Sequence, residues 1–258
     1  CFKDDYNYPL GSDFSGNKGE SITSLSNNMT GGKGAPASGG GAGLDHNSGG
    51  GGGGNGGDGG FGGYQLDNCG NAPFDNRGIG GKKLIFTNAA NKIFLGGGGG
   101  SGHANNPGTV PAGGNGGGII IINALIIKNN GTNKIVTNGD NAATCTPNLP
   151  AISCHDGMGG GGSGGTILLN VNQVLTNTVT EQKGGKGADM TGSVIVGGRI
   201  GAGGGGGGGI LWMSGTSIPP NINSVNNGGI HGVLTSDGNS TWGAEDGQSG
   251  ANILNLQI

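Results

Sequence analysis

The sequence predicts an all-β chain of short strands, solenoid-like or a sandwich, beside laterally packed polyglycine-II helices and with almost no α-helix. Three observations predict it. Of 258 residues 69 are Gly, and they are gathered in blocks. Short β-branched runs follow these blocks at nearly regular spacing. No window of 11 or more residues carries a 3.6-residue apolar period, and each Gly disfavours helix by about 1 kcal/mol relative to Ala.

Residues 49–63 read GGGGGGNGGDGGFGG, 96–100 GGGGG, 113–118 GGNGGG, 159–165 GGGGSGG and 203–209 GGGGGGG. Such tracts suit either a flexible linker or an ordered packing of backbone on backbone. Punctuation by single Asn, Asp, Ser and Phe residues, and recurrence beside strands, favours order. The ordered state open to them is an extended left-handed helix with three residues per turn, whose N–H and C=O groups bond laterally. Each bond contributes about 1 kcal/mol net and needs no apolar core.

The strand-like runs are KKLIF from Lys82, IIIINALII from Ile119, TILLNV from Thr166 and ILWMS from Ile210, with starts spaced by 37, 47 and 44 residues. This is an imperfect internal repeat. Within a unit the order is Gly block, apolar strand, second shorter strand, Asn-Gly turn and polar loop. In the unit from Ile119, Asn130-Gly131 predicts a tight hairpin joining IIIINALII to KIVT. Trp212, inside ILWMS, is expected in the core.

Only 31% of residues are apolar and 10% charged, with a net charge of −3. Conventional burial is therefore small for the length. The scattered Lys and Arg residues give no electrostatic footprint for nucleic acid. No apolar run approaches the length of a membrane-spanning helix, so membrane attachment requires a lipid or a partner.

The numbering begins at Cys1, followed by Phe2, Lys3, Asp4 and Asp5. A mature chain starting at Cys resembles the bacterial lipoproteins. That resemblance implies acyl chains on Cys1, an anchor worth roughly 0.8 kcal/mol per buried methylene. Lys3, Asp4 and Asp5 resemble the signal that exports lipoproteins of the Bacteroidota to the outer face of the outer membrane. The expected organisation is a lipid-anchored tether with export signal over 1–20 and one glycine-rich β domain over 21–258.

The stretches KKLIFTNAANKIFLGGGGGSGHANN and GGGGGGNGGDGGFGGYQ resemble the glycine-rich domain of anaplastic lymphoma kinase-type receptors and, more loosely, the tip adhesins of tailed phages. The pattern GGGxIxI followed by NG is also similar to large secreted proteins of the Bacteroidota. The receptor and phage resemblances imply polyglycine helices packed beside β-structure in the service of recognition.

Residues with chemistry are few. Cys154, His155 and Asp156 are consecutive, and neighbours on an extended chain point in alternate directions, which argues against a nucleophile and base. A disulfide between Cys145 and Cys154 fits an extracytoplasmic setting and leaves Cys69 as a small buried apolar residue. His46, His103, His155 and His231 share no metal-ligand spacing and are expected in surface loops. Asp237, Asn239 and Thr241 alternate as Ca²⁺ ligands would, with Glu245 and Asp246 following, but Trp242 and Gln248 stand where a calcium loop needs Gly and Glu. No carboxylate pair, GxSxG, HExxH or Walker loop is present, so no enzyme is expected, and beyond the lipid and Ca²⁺ at Asp237, Asn239 and Thr241 no cofactor is expected. Trp242, in a polar loop, and Tyr64 are the contact candidates for a sugar ring or protein partner.

These features leave three function classes. The first is a surface-displayed, non-catalytic structural or accessory subunit of an outer-membrane complex, beside a β-barrel or other surface lipoproteins. The second is an adhesion module binding a glycan or protein through loops on a glycine scaffold. The third, an enzyme acting on polysaccharide, lacks the carboxylates it would need.

Overall fold

The computed structural model describes residues 5–9, 14–67, 69, 75–105, 112–131, 133–144, 155–191 and 198–257. Its centre is backbone. Segment 49–54 is buried throughout, and its amides turn to three neighbours in rotation. Gly49 and Gly52 donate to the carbonyls of Gly63 and Gly60, Gly50 and Gly53 to those of Met158 and Gly161, and Gly51 and Gly54 to those of Gly41 and Ser38. The carbonyls of the same segment accept in the same rotation. Those of Gly49 and Gly52 take the amides of Gly78 and Gly81, those of Gly50 and Gly53 take Gly204 and Gly207, and those of Gly51 and Gly54 take Gly100 and Gly97. A period of three in donors and acceptors alike is the geometry of the extended threefold helix. Neighbouring chains surround the segment on every side, and each peptide group is satisfied without water.

The spacing excludes side chains. A Cβ placed on Gly53 would run into the carbonyl of Gly97, and one on Gly52 into that of Gly205. The same rotation extends toward the amino terminus. Gly16 and Gly19 donate to Gly43 and Gly40, and the amide of Asn17 bonds Ser101 Oγ at 2.7 Å. The stretch 14–19, expected within a tether, is thus part of the bundle, because Gly at three-residue spacing fits the lattice there as well.

Glycine segments lead into strands: β1 (Ile119–Ile127), β2 (Lys134–Val136), β3 (Thr166–Val174), β4 (Thr178–Glu181), β5 (Ile210–Met213), β6 (Ile222–Val225) and β7 (Ala251–Ile253). One sheet has the order β1-β3-β5-β7 and the other β2-β4-β6. Among the described residues these strands all pair in parallel, with Ile119 opposite Thr166, Thr166 opposite Ile210, Ile210 opposite Ala251, and Thr178 opposite Ile222.

This overturns the expected all-β solenoid or sandwich. The strands make two wholly parallel sheets, of four and three strands, in an α/β-like arrangement with almost no helix. The helical pieces among the described residues are the 3-10 turns Asn88–Ala90 and Thr235–Asp237. The expected hairpin is corrected too, since β1 and β2 enter different sheets and each pairs with its counterpart one repeat later. Asn130 does not take the positive φ that such a turn demands. Parallel strands need a long crossover, usually a helix. Here the second strand and the glycine segment after it make the crossover, and parallel glycine segments hand their direction on to the strands. Gly161 and Gly164, ahead of β3, donate to Gly204 and Gly207, ahead of β5.

KKLIF is not a strand. It crosses the face of the four-stranded sheet, where Phe86 meets Trp212 edge-on at 6.2 Å between ring centroids and Ile85 faces solvent. Leu84, Ile93 and Phe94 complete that cover over Leu168 and Ile210. On the opposite face Ile167, Leu169, Leu211 and Met213 pack with Ile135 and Ile222 of the smaller sheet. At the far end of the glycine bundle a third cluster gathers Met158, Met190, Ile200 and Leu234, with Leu66 and Trp242 against it.

Candidate binding surfaces

The two sequence-chosen aromatic residues meet at that far end. Tyr64 and Trp242 sit edge to face with centroids 5.9 Å apart, and the amide of Tyr64 donates to the carbonyl of Trp242. Trp242 takes a left-handed φ of 44°, which carries its ring back over the bundle. Its Nε1 donates to the carbonyl of Gln65 at 2.9 Å. Gly243 follows at φ 84°, and a Cβ there would strike the ring of Tyr64.

Sequence reading missed the cations of this place. The chain has only two arginines, and both stack here. The guanidinium of Arg199 lies 3.7 Å from the ring centre of Trp242, and that of Arg77 lies 4.3 Å from Tyr64 and 4.9 Å from Phe61. Planar guanidinium groups stack on aromatic faces where an ammonium would not. That two arginines occur among ten lysines was the one available signal. Asp67 holds Arg199 at 3.1 Å, while Asp75 and Glu245 hold Arg77 at 2.8 and 3.1 Å. Burial pushes the Asp75 carboxyl up, but hydrogen bonding and the charge of Arg77 outweigh it and hold the group below its ordinary range. The ring of Trp242 is thereby roofed by Arg199 and its donor is used, so the arrangement reads as a clasp closing the bundle more than as an open sugar platform.

Asp237, Asn239 and Thr241 fall in a tight turn in which the amide of Ser240 bonds the carbonyl of Asp237 and the amide of Leu234 that of Ser240. Glu245 turns to Arg77, and Asp246 accepts from the backbone amide of His231. Among the described residues no three His, Cys, Asp or Glu side chains converge as metal ligands would.

Cys69 is disulfide-bonded, which corrects its reading as a lone thiol, and His46 Nδ1 lies 2.8 Å from its sulphur. Cys1, Lys3, Asp4, Cys145 and Cys154 lie outside the described residues, whereas Asp5 lies within them, its carbonyl bonding the amide of Lys33. His103, expected in a surface loop, is only 2% exposed, and its Nδ1 accepts the amide of Asn47 at 3.0 Å. Asp156 is fully buried beside the amide of Asn105.

No family model, curated protein or solved structure matches this chain. β1 ends the four-stranded sheet, and among the described residues no backbone group pairs with its outer side. Side chains on one face form a row across the sheet, Ile121, Leu168, Trp212 and Ile253. Leu168 and Trp212 are buried, whereas Ile121 is 58% exposed, with Leu125 at 74% and Ile126 at 52% further along the strand. Sequence reading named this run as a strand but had no means of seeing that it would stand at an edge.

Proposed function

We propose that the chain is a non-catalytic structural subunit, displayed at a bacterial cell surface and held beside partners of the outer membrane. The observation supporting it most is the open, charge-free β1 edge, since an unpaired strand is a ready template for another chain. The Cys69 disulfide supports an oxidising, extracytoplasmic setting. The glycine bundle supports a holding role, because its interior is rigid backbone and only its periphery carries side chains for contact. The Lys3-Asp4-Asp5 triplet supports the outer membrane.

Extraction in mild detergent from cells making the full chain, followed by affinity isolation, tests this. Stoichiometric recovery with a β-barrel or a surface lipoprotein is expected. Alkylation of the native protein should leave Cys69 unmodified, and its partner in a non-reducing peptide map bears on the anchor. Any partner other than Cys1 leaves that thiol for acyl chains; linkage to Cys1 rules the lipid out. A second reading, an adhesion module, is favoured by Arg199, whose side chain stays 41% exposed above Trp242. A solitary monomer retaining a glycan, with retention lost in Arg199→Ala, would put that reading first.

A further inference from the structure

Resting on the structural-subunit reading, we propose that the partner at the β1 edge is a second copy of this chain, joined strand to strand about a two-fold axis. The backbone fixes which groups are on offer. The carbonyl of Gly118 accepts the amide of Thr166, so by the alternation of a β-ladder the peptide groups of Ile119, Ile121 and Asn123 point away from β3. The pairing of β1 with β3 skips Leu125, so the regular part of the open edge runs from Ile119 to Ala124. Three outward-facing residues centred on Ile121 match themselves in reverse. In an antiparallel pair Ile121 lies opposite Ile121 of the second copy, and Ile119 opposite Asn123.

Charge and length favour this occupant. No charged residue and no proline lies between Ile119 and Ile127, so self-pairing brings no like charges together and the usual protections of an exposed edge are missing. The alternative within one species, head-to-tail growth from β1 onto β7, sets nine residues against three and would generate an open filament where the two-fold pair closes. The row through Ile121 is buried at Leu168 and Trp212 and exposed at β1, where Ile119, Ile120 and Ile122 are half-buried. A second β1 would cover Ile121 in both copies and join two four-stranded sheets into one of eight.

Sedimentation and light scattering on the purified full chain, over a wide concentration range, test the proposal. The expected result is a concentration-dependent species of twice the monomer mass, absent in Ile121→Lys and in Asn123→Pro. Proline at Asn123 removes an outward N–H and leaves the bonds to β3 in place. Circular dichroism of both variants, and their melting at concentrations where the parent is monomeric, must match the parent, and Ile121→Cys guards against misfolding as the explanation. Oxidation should cross-link Ile121→Cys into a dimer, while Leu175→Cys, exposed but off the edge, should stay monomeric. A parent monomeric at all concentrations, or a dimer that survives Ile121→Lys, overturns self-pairing. If that monomer still co-purifies with an outer-membrane protein and loses it in Ile121→Lys, self-pairing falls and the subunit reading stands. If co-purification is absent in the parent, the subunit reading falls as well.

Discussion

One methyl group is enough to break the lattice where the chains are closest. Gly53 donates to Gly161 and accepts from Gly207, and a Cβ on it would overlap the Gly97 carbonyl. Backbone cannot step aside as a side-chain tip can, so Gly53→Ala should cost about 3 kcal/mol. Nothing lies within 4 Å of a Cβ on Gly118, and Gly118→Ala should change stability by less than about 0.5 kcal/mol. Urea melts of the two variants check the contrast. Glu181 gives a pH signature of a different kind. The hydrogen bond from Lys134, opposed by burial and helped by Asn138 and Lys183, lowers its carboxyl from 4.5 to about 2. Because the folded value is depressed, the stabilisation is full above about pH 4.5 and is lost as pH falls toward about 2. The side chains of Lys134 and Lys183 are 50% and 42% exposed, so screening limits the effect to about 1 kcal/mol. Glu181→Gln should lose that amount at neutral pH and flatten the acid limb, measured by melts across the pH series.

At the level of elements, the glycine segments behave as secondary structure in their own right. Hydrogen exchange should find the amides of Gly49 to Gly54 as slow as those of Thr166 to Leu169 in β3, since all are buried and bonded. Fast exchange there would mean that the lateral bonds do not persist. The blocks, the runs and the repeat length could be read from the sequence, because composition and spacing are local. What could not be read is which strand pairs with which. Asn130-Gly131 is a genuine local turn signal, but the direction of β1 and β2 is set by the glycine segments before and after them, whose neighbours are distant in sequence. KKLIF has the composition of a strand and lies across a sheet face because Phe86, Leu84 and Phe94 cover Leu168 and Trp212 there. β7 went unseen because it is three residues long with Asn at its centre. Tyr64 and Trp242 could be picked singly as aromatic residues in loops, but Tyr64 with Arg77 and Trp242 with Arg199 are two pairs that only long-range chain closure brings together.

Taken as a whole molecule, the protein stacks two kinds of interior end to end: side-chain packing around the sheets and beneath Trp242, and peptide packing between them. These respond differently to heat. Unfolding a peptide lattice exposes amide groups to water, where unfolding an ordinary core exposes hydrocarbon. Apolar surface raises the heat capacity on exposure and polar surface lowers it, giving about 12–15 cal/mol/K per residue in common domains. Scanning calorimetry of this chain should give a clearly smaller value per residue, and a value inside that range would mean that the side-chain clusters carry the transition alone. With a small heat-capacity change, the unfolding enthalpy varies little with temperature and the stability curve is broad. Cooling, which weakens domains held by hydrocarbon burial, should leave this one nearly as firm as at its optimum.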